Sequence, residues 1–258
     1  MKKTLTIFWT IIIWIYTFFC SYLYINQKSM IYFPDNTDFE KCDILNDYKK
    51  ENYNWTRFYL KEKSKNLIIH YHWNASSACE NWYKKEVFEK TNNSIIFVEY
   101  SWYSNDNKEA NIKNILNDVK NIKDYLEKNK YEKIMVYWRS LWTWRASYQA
   151  NIWKVDKLVL ITPYNSFTEL VKMNYPIFPV SFLLTEKYDN KKWLENYKNE
   201  LLIIHWTNDE VIPYELGKKL YDSLKTTKKD FLTIKWKWHN DLDTESIFNE
   251  KILNFIIN

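Results

Sequence analysis

Glycine is nearly absent: the 258-residue chain holds one, Gly217. Average usage of roughly 7% would give about 18. Alanine and proline number 5 each and arginine 3, against 34 lysines, 28 asparagines and 27 isoleucines. Low Gly, Ala, Pro and Arg together are the usage of a very AT-rich genome, because their usual codons are G/C-rich. The same bias should deplete tryptophan, whose codon UGG carries two guanines, yet there are 14 tryptophans. Tryptophan therefore stands where the composition argues for another residue.

Cysteine is scarce too, with Cys20, Cys42 and Cys79. Three cysteines exclude a disulfide-dense scaffold, and without a C-x-x-C pair there is no zinc or redox motif. Pairing of Cys42 with Cys79 is open to a protein outside the cytoplasm, but free thiols are the expectation. A block of one charge is also missing. The 37 bases are interleaved with 32 acids for a net charge of +5, which gives no nucleic-acid footprint. With 46% apolar and 27% charged residues the chain is core-forming, and its length allows one large domain or two small ones. It shows neither repeat nor low-complexity linker.

Residues 5–25 form an uncharged apolar run behind Lys2 and Lys3. About 20 such residues span a bilayer. A cleaved signal peptide would end in small residues, but the stretch YTFFCSYLY over 16–24 offers none, and Cys20 follows Phe19 where a lipoprotein signal wants Gly or Ala. The expectation is an uncleaved anchor over 1–27, with Lys2 and Lys3 on the cytoplasmic side. The remaining body, 28–258, then lies outside the membrane on the extracytoplasmic side.

Short runs rich in Ile and Val at 66–72, 94–100, 133–137, 157–162, 200–205 and 231–235 read as strands. Helical spacing is clearest over 107–128, where Ile112, Ile115, Leu116, Val119, Ile122 and Leu126 recur every three or four residues. Residues 213–224 open with Pro at a helix start, and 245–257 form a closing helix. Alternating strands and helices imply a mostly parallel α/β sheet with helices on both faces. The stretch 165–190, with Pro176 and Pro179, exceeds what one crossover needs and is read as a small cap.

The strand at 133–137 runs into Trp138-Arg139-Ser140-Leu141-Trp142-Thr143-Trp144. With Gly for each Trp this is G-R-S-L-G-T-G between strand and helix. G-x-S-x-G in that setting is the nucleophile elbow, whose turn leaves no room for flanking side chains. The same exchange turns His72-Trp73-Asn74-Ala75 into H-G-N-A, an oxyanion-type loop after a strand. It turns Ser101-Trp102-Tyr103 into a strand-ending turn, and converts His205-Trp206-Thr207-Asn208-Asp209 and Trp236-Lys237-Trp238-His239 into glycine loops. Trp55 and Trp153 are plausible further cases, while Trp9, Trp14, Trp82 and Trp193 stay undecided. The economical reading is that UGA encodes glycine, as in some bacterial lineages, and that these codons are written as Trp. The rival is genuine tryptophan, as in a carbohydrate-stacking surface or a catalytically inactive relative of a hydrolase.

So corrected, residues 54–257 resemble the α/β-hydrolase superfamily. The nearest likeness is to single-anchor membrane hydrolases related to the alpha/beta-hydrolase-domain depalmitoylases and esterases. Met30-Ile31-Tyr32-Phe33-Pro34 and Leu160-Ile161-Thr162-Pro163-Tyr164 resemble that group as well. The resemblance implies the α/β-hydrolase fold and a serine hydrolase of ester or thioester bonds. It implies Ser140 as nucleophile, Asp209 as acid, with Asp189 the runner-up, and His239 as base. The order Ser…Asp…His is that of the fold. The oxyanion donors would be the main-chain N–H groups of Leu141 and Asn74. No cofactor is called for, and the expected partners are an acyl substrate, small or lipid-like, and the membrane. His70, His72 and His205 lie at strand ends with no metal-ligand spacing and are read as structural.

Overall fold

The fold is that of a computed structural model describing residues 2–241 and 246–258. It opens with α1 (Lys2–Ile31), long and apolar enough to cross a bilayer. The helix outruns the expected anchor because no breaker occurs before Pro34. The strands follow as β1 (Lys49–Tyr53), β2 (Thr56–Lys61), β3 (Asn66–Tyr71), β4 (Ser94–Glu99), β5 (Lys133–Arg139), β6 (Lys157–Ile161), β7 (Glu200–Trp206) and β8 (Lys229–Ile234). They form one sheet in the order β1-β2-β4-β3-β5-β6-β7-β8, with the β1–β2 and β2–β4 pairings antiparallel and the other five parallel.

The chain steps from β3 outward to β4 and then returns to the other side of β3 for β5. That reversal is the topological switch point, where ligands bind at the carboxyl ends of the strands. The parallel strands were legible because they are apolar on both faces. Ile69, Val136, Leu160 and Ile203 point into one core with α3 (Ile112–Asn129), α4 (Thr143–Ile152) and α8 (Tyr214–Ser223). Their neighbours Ile68, Met135, Val159 and Leu202 point into a second core with α2 (Trp82–Phe88) and α9 (Ser246–Ile257). α3 starts five residues later than its periodicity suggests, because the Asn111 side chain accepts from Asn114 N–H (2.8 Å) and caps it there. Glu245, the expected start of the last helix, and the side chain of Trp82 lie outside the described residues.

Between β6 and β7 run α5 (Phe167–Asn174), α6 (Val180–Leu183) and α7 (Asn190–Leu194), across the stretch read as a cap. The one written glycine packs α8 on β7: a Cβ on Gly217 would stand 2.2 Å from the His205 imidazole. The β1–β2 hairpin turns through Asn54 (φ 50°) and Trp55 (φ 69°). Left-handed backbone at both central residues is a type I′ turn, for which Asn-Gly is the favoured pair.

One expectation is overturned. Cys42 and Cys79 are not free thiols but a disulfide, with Cα atoms 5.7 Å apart. The chain after α1 folds back through a 3₁₀ turn at Phe39–Lys41, and Phe39 and Leu45 are buried in the same core as Ala78. That packing brings two distant cysteines together. Cys20, on α1, is free.

Two predictions follow from this core. The bond closes a loop of sequence separation 37, for which loop-closure entropy gives about 3–4 kcal/mol. Cys42→Ser with Cys79→Ser should lower the denaturation midpoint accordingly, and reductant should do the same to the parent and not to the double variant. The second concerns His70, stacked on Tyr137 and flanked by Phe88 and Phe97. Burial first, then the charges of Lys84 and His72, push its imidazole well below the ordinary value of 6.5. Its neutral form is thus favoured by folding. That stability is whole above the unfolded value and is lost as pH falls from about 6.5 toward the folded value. Thermal melts should show His70→Phe losing less stability than the parent over that fall; His205, lowered by burial against the pull of Asp209, keeps part of the slope.

Candidate active site

β5 ends at Arg139 in extended conformation and Ser140 follows at φ 68°, a left-handed turn before α4. A non-glycine residue there costs about 1–3 kcal/mol and persists only where its surroundings hold it. The turn lifts Ser140 out of the sheet with its side chain half-buried, facing the loops that leave β7 and β8.

Those loops are braced against each other. Thr207 N–H donates to the Ile234 carbonyl (3.0 Å), Trp236 N–H to Thr207 Oγ1 (2.9 Å) and Asn208 N–H to the Lys237 carbonyl (3.1 Å). Register between β7 and β8, with Trp206 opposite Ile234, starts both loops level. Asp209 and His239 thereby meet: His239 Nδ1 lies 2.8 Å from both carboxylate oxygens of Asp209. His239 Nε2 is 2.7 Å from Ser140 Oγ.

The carboxylate of Asp209 is buried and aimed. Its Oδ1 also accepts from Val211 N–H (3.0 Å) and Ile212 N–H (2.7 Å). An ionised carboxylate only accepts, so the proton of the His239–Asp209 contact sits on Nδ1. Nε2 is then the acceptor for the Ser140 hydroxyl. Two residues that the sequence reading did not single out hold the imidazole backbone. His239 N–H donates to Glu210 Oε2 (3.0 Å), and Arg139 donates to the His239 carbonyl. Both adjoin motif residues, which was the one available signal. Asp189 is used elsewhere: it caps α7 by accepting from Lys192 N–H (2.9 Å).

β3 pairs with β5, His70 opposite Tyr137, so the loop carrying Asn74 leaves the strand next to the Ser140 turn. The side chain of Asn74 is committed to structure. Its Oδ1 accepts from Phe33 N–H (3.0 Å) and from the Tyr103 hydroxyl (2.7 Å), and its Nδ2 donates to the Ile31 carbonyl (2.8 Å). Only its main chain is left to face the site. Leu141, directly after Ser140, is fixed by its carbonyl, which accepts from the Tyr164 hydroxyl (2.8 Å).

His72 Nε2 lies 2.8 Å from the buried Glu99. Burial alone would raise the Glu99 carboxyl; the charge of His72 and hydrogen bonds from His72, Ser104 and Ala78 N–H outweigh it and hold it below the usual range. Among the described residues no cluster of three metal-ligating side chains occurs.

The tryptophans require a correction of place. Trp138 is the penultimate residue of β5 and Trp206 the last of β7, Trp142 ends the 3₁₀ turn that starts at Ser140 and Trp144 is in α4, so these four are not loop residues. All four are buried, which removes them as a sugar-stacking platform. The indole N–H groups of Trp138, Trp142 and Trp144 find no acceptor among the described residues, although Trp138 stacks on Tyr71 and Tyr100. Trp102 (φ 80°) and Trp236 (φ 62°), like Trp55, hold left-handed backbone.

No family model matches this chain, and no curated protein does. Solved structures do. Esterase Pf2001 of Pyrococcus furiosus superposes with TM-score 0.69 at 13% identity, over 88% of this chain and 98% of its own. Est1E of Butyrivibrio proteoclasticus, solved with ferulic acid bound, gives TM-score 0.65 at 16% identity over 81% and 97%. A monoacylglycerol lipase of Paleococcus ferrophilus gives 0.56 at 15% identity over 77% and 98%. The fold is the α/β-hydrolase fold.

Proposed function

We propose that the chain is a membrane-anchored serine hydrolase that cleaves an ester, thioester or related acyl bond through an acyl-enzyme. The observation that carries this reading is the continuous line of hydrogen bonds from Ser140 through His239 to Asp209 at the sheet's switch point. Ser140 Oγ attacks the acyl carbonyl as its proton passes to His239 Nε2. Asp209 keeps the Nδ1 tautomer and stabilises the imidazolium. The oxyanion is met by the main-chain N–H groups of Leu141 and Asn74. Collapse expels the leaving group, which takes the proton from His239. Water then attacks the acyl-enzyme, giving its proton to His239, and release of the acid returns a proton to Ser140.

The catalytic unit in this reading is residues 28–258 with a cap over 165–190, and α1 is its single membrane span. The solved esterases and lipase support an acyl substrate, small or lipid-like; the single-anchor, depalmitoylase-related group remains our family reading on residues 30–34 and 160–164. Placement of the body outside the cytoplasm is supported by Lys2 and Lys3 and by the Cys42–Cys79 bond, since disulfides persist in oxidising compartments.

Recoded glycine belongs to the same proposal. It is supported by left-handed backbone at Trp55, Trp102 and Trp236 and by the three buried indole N–H groups without acceptors. Each such buried donor costs about 1–3 kcal/mol. The type I′ turn at Asn54-Trp55 also becomes Asn-Gly.

The test of the triad uses protein carrying glycine at the motif positions. Ser140→Ala should lose covalent labelling by a fluorophosphonate and all ester turnover. His239→Ala should lose most turnover. Asp209→Asn should fold and still fall by about 10⁴ in turnover, because the amide favours the wrong tautomer. Asp189→Asn should leave both stability and rate near the parent, because the amide oxygen still accepts from Lys192 N–H, whereas Asp189→Ala should cost about 1 kcal/mol of stability through the lost cap and little rate. Retained esterase activity in Ser140→Ala would end the serine-hydrolase reading.

The recoding is tested separately. Mass spectrometry of the native peptide spanning Ser140 should give glycine masses at positions 138, 142 and 144. Tryptophan masses there would refute it while leaving the triad to its own assay.

A further inference from the structure

A cavity of about 230 Å³ opens beside the nucleophile turn, between the last third of α1 and the α5–α6 segment. Leu23 and Ile31 of α1, Leu170, Phe178 and Leu183 of the cap stretch and Leu141 line it, and Val211 brings in the loop of Asp209. Gln27, Asn174 and Tyr175 supply its polar atoms, and no lining residue carries a charge. Such a wall holds hydrocarbon and offers nothing to a charged headgroup.

α1 is fastened along this wall rather than tethered to it. The Tyr16 hydroxyl donates to the Ile177 carbonyl (2.9 Å), and its ring stacks on Phe178 at 5.8 Å. Gln27 Nε2 donates to the Leu183 carbonyl (3.2 Å), and its Oε1 accepts from Thr185 N–H (2.8 Å) and Oγ1 (2.9 Å). Lys28 pairs with Glu109 at the helix end.

The depth of these contacts is informative. At about 1.5 Å per residue, Tyr16 lies about 13 Å along the helix from Ile25, the end of the uncharged run. That is roughly half of a hydrocarbon core about 30 Å thick. Whatever packs on Tyr16 therefore sits at leaflet depth. Residues 174–185 carry no charge. The most exposed of their large side chains are apolar, Ile177 at 72% and Phe182 at 88%, beside the uncharged polar Asn174, Ser181 and Thr185. Their main chain is also suited to lipid. The N–H groups of Tyr175, Phe178, Val180, Phe182, Leu183 and Leu184 are all bonded to nearby carbonyls, and Pro176 and Pro179 have none. Most of the segment's backbone is thus satisfied locally, which lowers the cost of placing it in hydrocarbon.

We propose that residues 174–185 insert beside α1 into the leaflet on the catalytic side, and that the cavity takes the long acyl chain of a membrane glycerolipid ester directly from the bilayer. This rests on the serine-hydrolase reading. The apolar rim of Ile177 and Phe182 presents no group that would read a polypeptide, so an acylated protein is the disfavoured source.

The full chain in phosphatidylcholine vesicles is given three probes: soluble p-nitrophenyl acetate, vesicle-embedded monopalmitoylglycerol, and a membrane-bound S-palmitoyl peptide. The parent should hydrolyse the first two. Ile177→Glu with Phe182→Glu, both outside the cavity, should cut monopalmitoylglycerol turnover at least about tenfold and leave acetate turnover and fluorophosphonate labelling near the parent. Val171→Trp, which fills the cavity, should lower the ratio of palmitoyl to butyryl ester turnover by a similar factor. Acetate hydrolysis with unaltered monopalmitoylglycerol turnover in both variants would overturn the inference and spare the hydrolase reading. So would cleavage of the S-palmitoyl peptide and not of the glyceride. A parent that neither hydrolyses acetate nor takes the label fails at the earlier step, and both readings go with it.

Discussion

Ser140 stands at φ 68° directly after β5, and the rest of the site is arranged to tolerate that turn. A side chain in left-handed backbone is unfavourable, so the turn survives only because the strand before it and the helix after it are both held. β5 is hydrogen-bonded on both edges, to β3 and to β6, and α4 packs back on the sheet. The turn aims the Ser140 hydroxyl outward and requires its neighbours to be small. The written Trp138 and Trp142 are the largest residues available. They fit only by stacking among Tyr71, Tyr100 and Tyr32, with their indole N–H groups left without acceptors. The left-handed turn at Ser140 and the crowding by Trp138 and Trp142 thus fall in one place, and that coincidence is what our proposal of glycine at these positions addresses.

The second constraint is the parallel register. Because β5, β7 and β8 all run the same way, Ser140, Asp209 and His239, far apart in sequence, leave the same edge of the sheet. The cross-braces from Thr207 and Asn208 to the β8 loop then fix Asp209 and His239 within hydrogen-bond reach. Asp209 needs no neighbouring charge to be oriented, since two main-chain N–H groups aim it.

What the sequence could disclose follows from these causes. Five of the parallel strands, β3 to β7, announce themselves because both their faces are apolar, and the edge strand β8 through its Phe231, Leu232 and Ile234. The meeting of Ser140, Asp209 and His239 could be anticipated because a strand, a turn residue and a fixed order bracket each; their chemical roles stay part of the proposal. The β1–β2 hairpin escaped for a physical reason. Lys49–Tyr53 is an exposed edge strand with no apolar alternation, and its turn at Asn54-Trp55 lacks the glycine that usually marks a type I′ turn. The Cys42–Cys79 bond escaped because spacing carries no information about how the segment after α1 folds back. The cavity wall escaped because helical periodicity does not show that a membrane-length helix also packs along a cap.

That last point binds the anchor to the chemistry. The segment leaving α1 is held by Asn74, through the Ile31 carbonyl and the Phe33 N–H, and Asn74 sits in the loop beside the Ser140 turn. Farther along, Tyr32 and Tyr188 share Glu186, which also accepts from Ile112 N–H at the start of α3. A shift of α1 relative to the body would pull on the Asn74 loop, on the α5–α6 wall through Gln27 and on the α3 terminus together. Such coupling is wasteful for a tether, which needs only length. It suits the acyl pocket we propose, one wall of which is α1, because an apolar chain is gripped only if both sides of the groove keep their spacing.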